Sequence, residues 1–307
     1  MASRLRAGVF GTGVLGRHHT RILGTLDGVE RVGIHDPRRE AAEAVGAEYG
    51  ARVFERFEEL AGGIDVAVVA APTVAHVEVG LALLERGVHI LVEKPIAPDL
   101  EGADRLIEGA RRAGRVLAVG HVEFHNPAVE ALIAAGGAPR YVEIQRLGVF
   151  SPRSLDVDVI ADLMIHDIQI LHALDGSALR EVRATGIPVL SDRIDLVNAR
   201  LEFESGLVAN LSASRVSSVR VRELRAFYPD RYRSLDYQTQ EIKGYRLDRG
   251  GGEPRILPEA IAVESAEPLR RELEAFVAAC RGEASRSVEG AGARTALETA
   301  LAVAAVC

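Results

Sequence analysis

Residues 5–16 read LRAGVFGTGVLG, and this stretch decides the fold of the first part of the chain. A short apolar run (5–10) passes directly into the glycine-rich turn GTGVLG (11–16), and an amphipathic pattern, GRHHTRILGTL (16–26), follows at once. A strand, a glycine turn and a helix in this order form the first βα unit of a Rossmann-type domain. The glycine pattern alone is weak evidence, but its position between a strand and a helix is what this fold requires.

Apolar runs alternate with amphipathic stretches up to residue 120, which is typical of a sheet built from βα units. Runs that are apolar throughout, such as VAVVAA (66–71), indicate strands that are covered on both faces. The sequence therefore predicts an α/β domain with a parallel, doubly wound sheet. Its predicted strands lie at 5–10, 29–35, 51–54, 65–71, 88–92 and 115–120.

The pattern changes after residue 120. Predicted helices at 127–136 and 158–176 enclose a strand at 140–150, and strand-like runs then follow one another without helices between them. Successive strands joined by short turns indicate a mostly antiparallel open sheet. Two further predicted helices end the chain, at 267–281 and 288–306. We therefore expect an α/β domain over 1–120 and an α+β domain over 121–307.

Two runs in the second half predict how the protein associates. The runs DLVNARLEF (195–203) and LVANLSASR (207–215) carry apolar residues at positions expected to point outward from the sheet. A second subunit would cover such a face. We therefore expect a homodimer or homotetramer formed through the C-terminal sheet.

The overall composition excludes several classes of function. The 307 residues are 48% hydrophobic with a formal net charge of −7, so the basic face of a nucleic-acid-binding protein is not expected. No apolar run approaches the roughly 20 residues of a membrane span, and the first strand follows no apolar leader. Cys280 and Cys307 do not stand at metal-ligand spacing, so no metal is expected, and scarce cysteine fits a reducing cytoplasm.

The glycine-rich turn and the next strand predict a dinucleotide site. The free N–H groups and the positive dipole end of the helix after the turn can hold phosphates. The second predicted strand ends at Asp36, 20 residues beyond Gly16, where a carboxylate binds the adenosine ribose hydroxyls. Asp36 favours NAD because it would repel a 2′-phosphate, whereas Arg38 and Arg39 keep NADP as an alternative. The turn residues expected at the cofactor are Gly11, Thr12, Gly13, Val14, Leu15 and Gly16.

Ligands of parallel sheets bind outside the carboxyl ends of the strands, and polar residues stand at three later strand ends. His76 is expected to pack beside the cofactor or to cap its helix, and His18 and His19 to be exposed or next to the cofactor. The further cofactor contacts expected after the strands are Arg38, Ala71, Pro72, Thr73, His76, Glu93 and Lys94. The substrate contacts expected there are Lys94, His121, Glu123 and Asn126.

These residues resemble the glucose–fructose oxidoreductase, inositol dehydrogenase and rhizopine-catabolism (Gfo/Idh/MocA) family over essentially the whole chain. The resemblance is carried by VFGTGVLGRHH (9–19), by APTVAHVEVGLALLERGVHILVEKP (71–95) and by the pair Asp162 and His166. It implies that Lys94 contacts both the substrate and the nicotinamide ribose, and that its bond to Pro95 is often cis. It also implies acid–base chemistry at Asp162 and His166.

The spacing of Asp162 and His166 agrees with that role. Four residues apart on a predicted helix, the two side chains lie on one face, one turn apart. A histidine can lose and regain a proton near neutral pH, and a nearby carboxylate can orient its ring or bind the substrate. The expected mechanism is removal of a hydroxyl proton by His166, hydride transfer to the nicotinamide, and polarisation of the oxygen by Lys94.

Within the family, the chain is most similar to the branch of UDP-N-acetylglucosamine 3-dehydrogenases and neighbouring nucleotide-sugar oxidoreductases. This similarity implies oxidation of a sugar 3-hydroxyl, with Asn126 and Arg215 as contacts for the nucleotide sugar. The segments that carry it are GHVEFHNPAV (120–129), DVDVIADLMIHDIQIL (156–171), GIPVLSDRIDLVNARLEFESG (186–206) and NLSASRVS (210–217).

Two differences from the family pattern fall near the expected substrate. Phe124 stands where relatives often carry arginine, and Gln169 stands where they often carry an acid, while Asp167 lies beside His166. A dehydrogenase of a free cyclitol or monosaccharide is therefore an alternative. A non-catalytic NAD-sensing regulator on the same fold is a second alternative. The presence of Lys94 with the Asp162 and His166 pair favours an enzyme.

Overall fold

The computed structural model describes residues 4–150, 157–250 and 253–307. The helices are α1 (Val14–Leu23), α2 (Arg39–Tyr49), α3 (Phe57–Ala61), α4 (His76–Leu84), α5 (Leu100–Ala113), α6 (Pro127–Ala134), α7 (Ile165–Asp175), α8 (Pro268–Cys280) and α9 (Gly290–Ala305). The strands are β1 (Leu5–Phe10), β2 (Val29–His35), β3 (Val66–Val69), β4 (His89–Glu93), β5 (Leu117–Gly120), β6 (Tyr141–Leu147), β7 (Leu179–Ile187), β8 (Leu196–Phe203), β9 (Val208–Ser214), β10 (Val221–Phe227), β11 (Arg231–Asp236), β12 (Glu241–Asp248) and β13 (Arg255–Glu259). Among the helices so described, none is long and apolar enough to cross a membrane.

The chain forms two compact units. The first comprises the chain up to Val122 together with Glu267–Arg294, and the second comprises Glu123–Ala266 with Thr295–Cys307. The functional division into 1–120 and 121–307 stays a prediction. The compact units differ from it mainly in Glu267–Arg294, which carries α8 and packs with the first unit.

The first unit contains the parallel sheet that the sequence predicts. Its strand order is β2-β1-β3-β4-β5, and every pairing is parallel. The sheet has five strands rather than six, because residues 51–54 make only a single bridge, from Val53 to Ile34, before the chain turns into α3. The expectation of a strand at 51–54 is therefore wrong.

Helices cover both faces of this sheet, as its apolar strands predict. All residues of β3 are buried. On one face, Val9 and Val66 belong to the same core cluster as Ile22 of α1 and Leu273 and Phe276 of α8. Because these α8 side chains complete that core, a segment from near the end of the sequence becomes part of the Rossmann unit. The sequence pattern alone placed this helix in the second domain.

The second unit contains an eight-stranded sheet in the order β13-β12-β11-β10-β6-β9-β8-β7. Every pairing is antiparallel except that of β6 with β9, which confirms the mostly antiparallel sheet. Buried and half-buried residues alternate strictly along β6, so one face of the sheet carries the core. Core residues of β6 such as Ile144 cluster with Ile165 and Ile168 of α7.

The register contradicts one expectation about the outer face. Apart from Leu196 and Val208 at the strand starts, the apolar residues of β8 and β9 point into the core, and the positions between them are polar. The outward positions of β8 include Asn198 and Arg200, and those of β9 include Asn210 and Ser212. The apolar outward face expected for 195–203 and 207–215 is therefore wrong, because the period of two assigns those side chains to the core.

A buried ionic network connects α7 to the sheet. Arg146 of β6 donates to both carboxylate oxygens of Asp167, at 2.9 and 2.6 Å, and its Nη1 donates to Glu123 at 2.7 Å. The guanidinium also lies 4.8 Å from the ring centroid of Tyr237. Burial opposes the charge of Arg146, but the charges of Asp167 and Glu123 outweigh it and raise the pKa of Arg146 well above its ordinary value.

Replacing this arginine should strongly destabilise the second unit. Arg146→Met keeps a long unbranched stem but removes the charge, so that Asp167 and Glu123 lose their counter-ion. For buried pairs this costs about 3–5 kcal/mol of unfolding free energy. The measurement is urea unfolding of the purified variant.

The matched control is Arg225→Met, whose guanidinium pairs with Glu143 at 3.2 Å while both side chains are about one-third exposed. Its loss should cost less than about 1 kcal/mol. Equal unfolding midpoints for the two variants would contradict the importance of the buried network.

Candidate active site

The glycine turn places the start of α1 directly above the carboxyl ends of β1 and β3. Gly11 has a φ of 97°, and a Cβ at this position would lie 2.5 Å from the carbonyl oxygen of Ala70. A Cβ at Gly16 would lie 1.9 Å from the carbonyl oxygen of Gly11. Both positions therefore require glycine, the first for the turn and the second for the close packing of helix on strand.

The third glycine leaves space where an anion would bind. A Cβ built on Gly13 meets no atom within 4 Å, and Gly13 is the N-cap of α1 without a side-chain hydrogen bond to the helix end. No acidic side chain lies in the first turn of α1. The backbone N–H groups at this helix end thus meet the requirements for holding the phosphates of a dinucleotide.

A cleft of about 580 Å³ extends from this turn along the carboxyl ends of the strands. Phe10 and Phe57, whose ring centroids are 4.9 Å apart, provide its apolar lining. Other lining residues are Gly11, Gly13, Asp36, Arg38, Ala71 and Pro72, all of which the sequence predicts at the cofactor. The size and lining suit a nucleotide.

Asp36 is held at the end of β2 by the turn itself. Its Oδ2 accepts hydrogen bonds from the backbone N–H and the hydroxyl of Thr12, at 2.8 and 3.0 Å. Its Oδ1 accepts from the backbone N–H and Nε of Arg38, at 2.8 and 3.2 Å. Burial acts to raise the pKa of Asp36, but the hydrogen bonds from Arg38 and Thr12 outweigh it and lower that pKa. Asp36 is therefore a fixed anion, and the exposed Arg38 guanidinium is paired with it.

The ends of β3 and β4 are joined by a histidine. The Nδ1 of His76 lies 3.0 Å from the carbonyl oxygen of Pro95, and its Nε2 lies 2.9 Å from that of Ala71. Burial lowers the pKa of His76. His76 thus connects two strand-end segments, which agrees with a packing role beside the cofactor. Thr73 is half-buried in the short 3₁₀ turn that precedes α4.

Lys94 follows β4 and is half-buried. Its bond to Pro95 is cis, as the family resemblance implies. The backbone N–H of Lys94 donates to the Oε2 of Glu93 at 3.3 Å. The other Glu93 oxygen, Oε1, lies 2.7 Å from the Nε2 of His19, a fully buried residue of α1. His19 is therefore not exposed, whereas His18 is exposed.

In the second unit, Asp162 and His166 lie at the start of the helical segment that ends in α7. Asp162 is half-buried within a π-helical turn (Ile160–Met164), in which the N–H of Ile165 donates to the carbonyl oxygen of Ile160. His166 is buried in the first turn of α7. π-helical turns are rare and often occur at functional sites. The sequence predicted the pair on a regular α-helix and gave no signal for the wider turn.

Three residues that were expected to contact the substrate have hydrogen-bond partners within the protein. Glu123 accepts a hydrogen bond from Arg146. Buried Asn126 caps α6 by accepting from the N–H of Ala128, and it donates to the carbonyl oxygen of Tyr237. The Glu123 and Asn126 side chains therefore stabilise the fold through these hydrogen bonds. His121 lies buried just after β5.

The third of these residues, Arg215, is also committed to structure. Its Nε donates to Asp195 at 2.6 Å, and its Nη1 donates to the carbonyl oxygen of Val157 at 2.8 Å. Burial acts to raise the pKa of Asp195, but backbone N–H groups and Arg215 outweigh it and lower that pKa strongly. Arg215 thus holds the loop before β8.

Of the two departures from the family pattern, Phe124 is half-buried and Gln169 is buried. The side-chain oxygen of Gln169 has no hydrogen-bond partner within the described part of the chain. Asp167, next to His166, forms an ion pair with Arg146. The role of Arg146 was not predictable from the sequence, because a single arginine in an alternating strand gives no signal of a buried partner.

Comparison with known proteins identifies the family. Residues 5–121 match the model of the Gfo/Idh/MocA oxidoreductases, described as an oxidoreductase family with an NAD-binding Rossmann fold. UDP-N-acetylglucosamine 3-dehydrogenase from Acidithiobacillus ferrooxidans is 38% identical over 302 residues, which cover 97% of this chain and 96% of the relative. The scyllo-inositol 2-dehydrogenase (NAD(+)) of Bacillus subtilis is 29% identical and covers 71% of this chain and 69% of that relative.

Solved structures agree with this result. A structure of the A. ferrooxidans UDP-N-acetylglucosamine 3-dehydrogenase superposes with a TM-score of 0.92 at 37% identity, covering 99% of this chain and 98% of the other. An NAD complex of GenD2, from gentamicin A biosynthesis, shares the fold with a TM-score of 0.83 at 21% identity and covers 100% of this chain and 95% of that one. Together with the glycine turn, Asp36 and the cleft, these similarities show that the chain belongs to the Gfo/Idh/MocA family of NAD-binding oxidoreductases.

Proposed function

We propose that the chain oxidises a secondary hydroxyl of a nucleotide sugar, with the 3-hydroxyl of UDP-N-acetylglucosamine as the first candidate. The observation that carries this proposal is the 38% identity to UDP-N-acetylglucosamine 3-dehydrogenase over 97% of the chain. Lys94, Asp162 and His166, which the family resemblance assigns to the reaction, are all present. A free cyclitol is the second candidate, since inositol dehydrogenases are relatives over a smaller share of the chain.

The cofactor would be held by the first unit. The backbone at Gly13 and the start of α1 would bind its phosphates, and Asp36 would accept hydrogen bonds from the adenosine ribose. NAD, when bound, supplies the acceptor for hydride. Phe10 and Phe57 would exclude water from the adenine side of the cleft.

The protein's own residues would handle the proton and the charge of the reaction. His166 would accept the proton of the hydroxyl group, and Asp162 would orient the His166 ring or bind a neighbouring hydroxyl. Lys94 would donate a hydrogen bond to the reacting oxygen and stabilise its developing negative charge. We propose these three as catalytic residues.

The proposed function predicts a substrate order and the loss of activity in two variants. With NAD, UDP-N-acetylglucosamine should give NADH faster than myo-inositol or glucose, measured by NADH absorbance. His166→Asn and Lys94→Gln should lower kcat by about 10²-fold or more, because each loses one proton-transfer or charge-stabilising group. NAD binding, measured by calorimetry, should remain close to that of the wild type.

The matched control is Lys243→Gln, which removes the other lysine of the chain, on β12. It should leave kcat unchanged. A preference for myo-inositol would replace the substrate proposal by the cyclitol alternative. Wild-type turnover in Lys94→Gln or His166→Asn would reject the catalytic assignment.

Asp36 should decide the choice between NAD and NADP. In Asp36→Ser the carboxylate that repels a 2′-phosphate is lost, and Arg38 is released to bind one. We expect the ratio of kcat/KM for NADP to that for NAD to rise by at least about tenfold, which corresponds to roughly 1.4 kcal/mol. Steady-state kinetics with both cofactors measure this ratio.

The pH dependence gives a second test of the same residue. Because the pKa of Asp36 is lowered, its charge persists as the pH falls, and the NAD preference of the wild type should be unchanged from about pH 9 to about pH 6. Arg38→Gln should keep that preference. A wild type that prefers NADP would contradict the role of Asp36.

We also propose that the chain forms a homodimer or homotetramer through the outer face of the second sheet. Although β8 and β9 are polar on that face, four aromatic side chains form a continuous row across β6, β10, β11 and β12. Their neighbouring ring centroids lie 5.6, 4.9 and 6.4 Å apart. The row consists of Tyr141, Phe227, Tyr232 and Tyr245.

Sedimentation should detect this association. The wild type should sediment as a dimer or tetramer, and Tyr232→Lys should shift it toward monomer, because a charge in the middle of the aromatic row would be buried without a partner. Arg255→Lys, on the edge strand β13, is the control and should change nothing. A monomeric wild type would contradict the proposal.

A further inference from the structure

Three buried ionisable residues meet beneath the end of β4. His19 of α1 is fully buried, Glu93 of β4 is 6% exposed, and Glu272 of α8 is 1% exposed. One nitrogen or oxygen atom from each lies within 4.8 Å of the others. They come from the beginning, the middle and the end of the sequence, and all belong to the first unit.

The hydrogen bonds in this cluster are unequally distributed. The Oε1 of Glu93 lies 2.7 Å from the Nε2 of His19, and its Oε2 accepts from the N–H of Lys94. Neither carboxylate oxygen of Glu272 has a hydrogen-bond partner among the described residues. A buried carboxylate with no donor is strongly disfavoured, so Glu272 requires an explanation.

Repulsion between Glu93 and Glu272 requires that one of the two carries a proton. Two buried carboxylates at this separation repel each other strongly, so one of them takes up a proton. Glu93 has two donors that favour its ionised form, whereas Glu272 has none. Burial, with the charge of Glu93 as a second cause, raises the pKa of Glu272 well above its ordinary value.

The state of His19 follows from the same contacts. Its Nδ1 has no hydrogen-bond partner in the described part of the protein. When Nε2 carries the ring proton, it donates to Glu93 and leaves only a lone pair at the buried Nδ1, which needs no acceptor. His76 lies on another side of Glu93, whose charge acts to raise the His76 pKa against the larger effect of burial. In this arrangement Glu93 accepts hydrogen bonds from His19 and from Lys94.

Glu93 is in a position to transmit this arrangement to Lys94. Its Oε2 holds the N–H of Lys94, and a Cβ at Gly120 of β5 would lie only 2.9 Å from that oxygen. The carboxylate is thus confined between the ends of β4 and β5. If Glu272 were ionised, repulsion would push the Glu93 carboxylate away and disturb its hydrogen bond with the backbone N–H of Lys94.

We propose that Glu272 is a neutral carboxylic acid that keeps Glu93 in place and thereby acts as a positioning residue for Lys94. A proton on Glu272 would turn this acceptor into a donor close to the Glu93 carboxylate, since an oxygen of each lies within 4.8 Å of the other. This inference rests on the proposed function only in that Lys94 takes part in the reaction. The protonation of Glu272 itself does not depend on that role.

A metal ion is the competing explanation for the cluster. Histidine nitrogen and carboxylate oxygens are ligands that Zn²⁺ accepts. However, the 2.7 Å between His19 Nε2 and Glu93 Oε1 is a hydrogen-bond length, which places a proton rather than a cation between these two atoms.

Two substitutions of Glu272 separate positioning from packing. Glu272→Gln resembles the neutral acid in shape and keeps a donor, so its kcat should stay within about twofold of the wild type. Glu272→Met keeps the volume but cannot donate, and its kcat should fall by at least about tenfold while its melting temperature and NAD affinity stay near those of the wild type. A fully active Glu272→Met, or an inactive but folded Glu272→Gln, would overturn the proposal.

The matched control is Glu274→Gln on the exposed side of the same helix, where Glu274 lies 3.7 Å from Arg270. It should leave kcat and the melting temperature unchanged. If Glu272→Met does not fold, Glu272→Gln still decides whether a neutral side chain suffices.

Infrared spectroscopy tests the protonation directly. The difference spectrum of the wild type minus Glu272→Gln at neutral pH should contain the carbonyl band of a protonated carboxylic acid. A carboxylate band in its place, or a stoichiometric metal in elemental analysis of the purified protein, would overturn the proposal. The band does not depend on Lys94. A fully active Lys94→Gln would therefore reject the proposed function but would leave this band, and the inference about Glu272, intact.

Discussion

The close packing of α1 on β1 is the constraint on which the rest of the first unit depends. Because a Cβ at Gly16 would lie 1.9 Å from the carbonyl oxygen of Gly11, only glycine lets the helix begin where it does. That position leaves the space above Gly13 open and brings the hydroxyl of Thr12 to Asp36. The same few residues therefore determine the packing, the anion-binding helix end and the anchored ribose-binding carboxylate.

Two of the residues proposed to carry out the chemistry, Lys94 and His166, are supported in the same way. Lys94 follows a buried parallel strand, and its backbone is held through Glu93 by the His19 and Glu272 cluster. His166 lies in the first turn of α7, next to Asp167, which a buried guanidinium ties to β6. In both cases a buried charged group next in sequence to the reactive residue is fixed by long-range partners. Such support is what a catalytic side chain needs to keep its geometry.

The sequence predicted best those features that depend on local order. The glycine turn, Asp36 and the strand-end lysine follow from short-range patterns, and they lie around one cleft or at the expected strand ends. Burial of His19 and Glu272 was not predictable, because each becomes buried only when α8 packs against the Rossmann sheet. Asn126 and Arg215 were expected at the substrate, yet each donates a side-chain hydrogen bond to a residue distant in sequence. The strand expected at 51–54 was wrong because a short apolar run does not reveal how many backbone hydrogen bonds it makes with a neighbouring strand.

The central claim is that this chain removes hydride from the 3-position of a nucleotide sugar. UDP-N-acetylglucosamine carrying deuterium at that carbon tests the claim most directly, with mass spectrometry of the cofactor and the sugar after reaction with NAD. We predict that deuterium appears in the reduced nicotinamide and that the sugar becomes a 3-ketone. Reduced cofactor without deuterium, or a sugar that keeps its label while NADH forms, would contradict the account.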